Sequence, residues 1–116
     1  MITLQGVDVE AKPVSKRKVE SIWRGLTSNP CPKVIVLRVK DDDFNRFLKI
    51  TRCPGDTWRE ICEWGRALST EGTDACVYKT DEFSDVDYFI LIRDRPYHSF
   101  NAILKHELSH IARGDL

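Results

Sequence analysis

Apolar residues recur along this chain with two different periods, and the switches between them mark out elements. Ile2, Leu4, Val7 and Val9 alternate weakly, which fits a strand or a loose arm. Val19, Ile22, Trp23 and Leu26 then step by three and four, the spacing of one helix face. Ser15 reads as its N-cap, with Val14 and Val19 at hydrophobic-staple spacing, and Asn29-Pro30 and Cys31-Pro32 stop it. Residues 34–39 form a compact run rich in β-branched side chains, read as a largely buried strand.

Asp41-Asp42-Asp43 suits a helix start, where backbone donors lack partners and the dipole is positive. Phe44, Phe47 and Leu48 share one face of that helix. Consecutive aspartates there point in different directions, which disfavours a divalent cation site. Pro54-Gly55-Asp56 is a turn, and Thr57-Trp58-Arg59-Glu60 matches a capping box. The helix it opens carries Trp58, Ile61, Cys62 and Leu68 on its apolar side and ends near Gly72. Residues 76–79 and 88–92 read as two strands, and the acidic loop between them permits an antiparallel pair. Arg95-Pro96 ends the second strand. A last helix starts near Ser99 and runs to Arg113, with Gly114 as its C-cap. The order predicts one α+β domain over residues 1–116: a small mixed sheet of about three strands packed against helices.

Composition narrows the classes. Eighteen basic and eighteen acidic side chains among 116 residues give zero formal charge, which argues against nucleic acid as the main partner. No apolar run approaches the roughly 20 residues that cross a bilayer, and the first residues lack signal-peptide blocks. The expectation is a cytoplasmic protein without membrane contact, with self-association left open. The charge is uneven: residues 1–40 hold eight basic and three acidic side chains. Lys16-Arg17-Lys18 is the densest point; it reads as a solvated helix face, or else as a basic face for an acidic partner. The four cysteines (Cys31, Cys53, Cys62, Cys76) show no Cys-x-x-Cys spacing and are expected to be reduced. Cys62 reads as core, whereas Cys31 or Cys53 could reach a metal from a loop.

The last helix carries the chemistry. His106-Glu107-Leu108-Ser109-His110 matches His-Glu-x-x-His. Residues four apart on a helix differ by about 40° in direction, so the two imidazoles project side by side and can share one cation. Zinc suits two neutral imidazoles completed by further N, O or S ligands. Glu107, beside His106, is poorly aimed for ligation and well placed to take a proton from a water acidified by the metal. It falls at the border of the apolar stripe of Phe100, Ile103, Leu104, Leu108 and Ile111, where a carboxylate costs desolvation energy unless paired or functional. The plain alternative is the wet edge of an amphipathic helix.

Residues 104–115, Leu-Lys-His-Glu-Leu-Ser-His-Ile-Ala-Arg-Gly-Asp, resemble the active-site helix of zincin metallopeptidases. Size and element order resemble the minigluzincins, very small archaeal zinc peptidases kept latent as proenzymes. The resemblance implies a zincin-like fold with zinc on His106 and His110 and Glu107 as general base. It also implies that the strand over 88–92, with Tyr88, Ile90 and Ile92, binds a peptide substrate in extended form, as an exposed strand edge can. The departure lies in the third ligand, a downstream glutamate in gluzincins. Only six residues follow His110, and Asp115 is the sole acidic one. On a continued helix Asp115 points about 140° away from His110, which favours a hydrogen bond to a histidine or a capping role over ligation. His98, a loop cysteine, a partner chain, or a natural chain running past Leu116 are the other sources. Tyr97 or Tyr78 could stabilise an oxyanion. Two expectations result: a zinc peptidase or its latent form, hydrolysing peptide or, less favoured, other bonds; and a metal-binding or interaction module that is incomplete alone.

Overall fold

A computed structural model describes residues 1–51, 56–57, 73–96 and 99–114. The first strands are β1 (Ile2–Leu4) and β2 (Val7–Val9), an antiparallel hairpin with register Ile2↔Val9. Its two-residue turn has Gln5 at φ 48° and Gly6 at φ 79°. Two positive φ values in succession make the strand-matching hairpin turn, which glycine favours. The arm is thus a hairpin, and Leu4, Val7 and Val9 are buried beneath the sheet.

Five strands form the main sheet in the order β3–β4–β7–β6–β5. They are β3 (Ala11–Pro13), β4 (Val34–Val39), β5 (Asp56–Thr57), β6 (Thr73–Lys79) and β7 (Tyr88–Arg93). β4 and β7 run parallel from Val34↔Tyr88 to Val39↔Arg93. All other pairs are antiparallel, including β6 with β7 as expected from the short loop between them. The fold class is α+β with a mixed sheet, and short strands at both ends enlarge it beyond the three expected.

Alternation along the central strands gives the sheet two apolar faces. Leu37, Val39, Cys76, Tyr78, Phe89 and Leu91 face the hairpin and α2 (Asp41–Thr51). Val36, Ala75, Val77, Ile90 and Ile92 face α1 (Lys16–Leu26) and α3 (Phe100–Arg113). Each helix buries the stripe its spacing predicts: Val19 and Trp23 in α1, Phe44 and Phe47 in α2, Ile103, Leu104, Leu108 and Ile111 in α3. The Ser15 hydroxyl accepts from the Lys18 amide at 3.2 Å, and the Trp23 indole donates to the Asn29 carbonyl at 2.8 Å, tying the chain after α1 to the helix. In α2, Asp43 accepts from the Glu10 amide at 2.7 Å and Asp41 from the Arg95 amide at 3.2 Å, so these two carboxylates fasten strand ends to the helix start. The helix expected after the capping box at Thr57, with Cys62, lies outside the described residues, as does Cys53. Among the described residues no helix is long and apolar enough to cross a membrane.

Candidate metal centre

α3 lies across β6 and β7 and beside α1. The Ser99 hydroxyl faces the Ala102 amide at 3.5 Å at its start. At its end Gly114 takes φ 73°, and its amide donates to the carbonyls of His110 and Ile111. That cap follows the second histidine by one turn and holds the last carbonyls in place. Four aliphatic anchors fix the rotation of the helix about its axis, which in turn decides where the motif residues point.

His106 and His110 emerge half-buried at the rim of this stripe. Their Nε2 atoms stand 3.1 Å apart, with ring centroids 4.7 Å apart and planes at 90°. Two nitrogens each about 2.05 Å from one tetrahedral cation stand about 3.3 Å apart. The two Nε2 atoms are within hydrogen-bond distance of each other, a separation close to that of two imidazole nitrogens on one cation. The Ser109 hydroxyl donates to the His106 carbonyl at 2.5 Å, a local bond between the two histidine-bearing turns. Glu107 sits deeper than expected: it is fully buried within the apolar stripe rather than at its border.

The structure moves several expected residues away from this centre. β7 is the middle strand, paired along its length with β4 on one side and from Tyr88 to Ile92 with β6 on the other. Its backbone ladder is spent inside the chain, so Tyr88, Ile90 and Ile92 do not offer an edge to a peptide. Ile90 and Ile92 instead form the floor on which α3 rests. Tyr78 lies on the opposite face, stacked between Phe47 and Phe89 at 5.9 and 5.6 Å, so it is not an oxyanion donor for this helix. Cys31 lines a cavity of about 390 Å³ with Lys16, Glu20 and Lys33, to which α3 contributes no wall. Burial, and next the Glu20 carboxylate, push its thiol pKa up, against the smaller opposing pull of Lys16 and Arg24. Asp115, His98 and Tyr97 lie outside the described residues. Among the described residues no three His, Cys, Asp or Glu side chains gather as a complete ligand set.

Comparison with protein-family models, curated proteins and solved structures finds no match to this chain.

Proposed function

We propose that this protein is a zinc-dependent metallopeptidase or its latent proenzyme, with His106 and His110 as metal ligands and Glu107 as general base. The observation that carries the reading is the 3.1 Å convergence of two Nε2 atoms on adjacent turns, with a buried carboxylate on the residue after the first. When bound, zinc supplies Lewis acidity, polarising a carbonyl and acidifying a water. The chain supplies the rest. The imidazoles hold the cation through Nε2, and the apolar anchors keep their separation fixed. The Glu107 carboxylate accepts a proton from the attacking water and returns it to the departing amine. Sequestration of that carboxylate fits a latent form, because a buried base acts on substrate only when the covering contacts open.

A second reading is favoured by the count of donors among the described residues: two imidazoles alone bind zinc weakly, and a chain that takes a further donor from elsewhere is a metal-binding or interaction module. Titrating zinc into the metal-free chain tests both. Uptake near one ion per chain is expected, abolished in His106→Ala and in His110→Ala. Glu107→Gln should keep the zinc and lose hydrolysis of a peptide library by about a hundredfold or more. Failure of the unmodified chain to take up zinc overturns both readings. Zinc uptake with hydrolysis unchanged by Glu107→Gln overturns the general-base assignment, and uptake without any hydrolysis favours the module.

A further inference from the structure

At the other end of α3 the fold assembles a cluster of cations that no single stretch of sequence contains. Lys12 on the edge strand β3 stands directly opposite Arg38 on β4. Opposed residues of paired strands share a face, and Arg38 stacks its guanidinium on the ring of Phe100, 4.2 Å from the centroid. Both side chains therefore rise on the side of the sheet that carries α1 and α3. Lys18, in the first turn of α1, brings its ammonium to 5.3 Å from the same ring. These three cations, with Pro13, Val14 and Phe100, line a concavity of about 290 Å³. None of these lining residues is a carboxylate.

The arrangement gathers like charges around one ring. Like charges directly opposite on paired strands repel, and a ring that receives two cations draws them closer together. Lys18 also stands where the dipole of α1 is positive, and that first turn holds no acidic residue. The carboxylates in reach lie outside the concavity: Asp94 approaches Arg38 from its Nε side at 3.8 Å, longer than a hydrogen bond, and leaves the terminal nitrogens of the fork open. Lys12 and Lys18 have no carboxylate within ion-pair distance among the described residues. A small dianion seated between them relieves the repulsion and meets a guanidinium fork with two ammonium groups, the donor set that suits a phosphoryl group better than a single carboxylate.

We propose that the concavity formed by Lys12, Lys18, Arg38 and Phe100 binds a phosphoryl group, free or carried on a peptide. The inference does not depend on metal at the histidine pair. The test is a titration of the full ¹⁵N-labelled chain with inorganic phosphate, followed by amide shifts, against sodium chloride at equal ionic strength. Saturable shifts at Lys12, Lys18, Arg38 and Phe100 are expected with phosphate alone. Lys12→Gln and Lys18→Gln, both at exposed positions, should each weaken binding about tenfold. A phosphoserine peptide that saturates the same amides more tightly than phosphate assigns the group to a protein partner, and the reverse order assigns it to the free anion. Shifts that chloride reproduces, or that both variants leave unchanged, overturn the site. Tighter binding of a glutamate-rich peptide than of the phosphoserine peptide overturns the phosphoryl assignment.

Discussion

Two glycines in helical regions should respond to the same substitution with opposite signs. Gly25 lies inside α1 with ordinary helical backbone, and Gly114 caps α3 at φ 73°. A Cβ built at either position meets nothing within 4 Å, so packing does not distinguish them and backbone conformation alone sets the sign. Gly25→Ala removes a residue whose unfolded chain is unusually free, a gain of about 0.5–1 kcal/mol. Gly114→Ala makes the same gain but forces an L side chain into the left-handed region, at a cost of roughly 1–2 kcal/mol. The net loss is about 0.5–1 kcal/mol. Unfolding entropy near 2.1 cal/mol/K per residue over this length converts 1 kcal/mol into about 4 °C. Calorimetry should show the midpoint rising by about 2–4 °C for Gly25→Ala and falling by about 2–4 °C for Gly114→Ala. Gly6→Ala, at φ 79° and equally open, should fall with Gly114→Ala. Shifts of the same sign at Gly25 and Gly114 would refute the argument, since space is equal at both.

Leu108, fully buried between the two histidines in sequence, anchors α3 to the sheet. Leu108→Ala should cost about 3 kcal/mol, or roughly 12 °C by the same conversion; a drop below about 4 °C means that α3 is not seated as described. The Cys31 thiol, with its pKa raised in the fold, should be alkylated by iodoacetamide several-fold more slowly than a free thiol at about pH 8.5, read peptide by peptide in a mass spectrometer. The same shift favours the neutral thiol in the folded chain. Its contribution to stability is whole below the ordinary thiol pKa and fades as pH rises through the higher folded value. Cys31→Ser should flatten that alkaline decline; an unchanged pH profile removes the linkage.

Local signals in the sequence were sufficient for α1, for the start of α2 and for α3, because caps and staples act over four or five residues. Ser15, Asp41 and Gly114 stand at helix ends where their chemistry requires. The histidine pair was legible for the same reason: helical spacing alone brings the rings together. What escaped was tertiary. The Gln5-Gly6 turn is a recognisable hairpin signal, but strands of three residues carry too little periodicity to flag their pairing. The unbroken Tyr-Phe-Ile-Leu-Ile run of β7 fits a strand covered on both faces, while its middle position is set by pairing with β4 and β6, which no local signal carries. The cation cluster was invisible because Lys12, Lys18 and Arg38 meet only through the register of β3 on β4. Lys16-Arg17-Lys18 looked like the centre of the basic region, yet only Lys18 of the three reaches the concavity.

The parallel pairing of β4 with β7 joins residues 54 positions apart, from Val34 to Tyr88. A ribosome must therefore deliver the chain as far as residue 93 before the middle of the sheet can close, and the histidine-bearing segment emerges only after that. A nascent chain stalled before residue 93 should therefore leave β4 without its parallel partner and open to proteolysis.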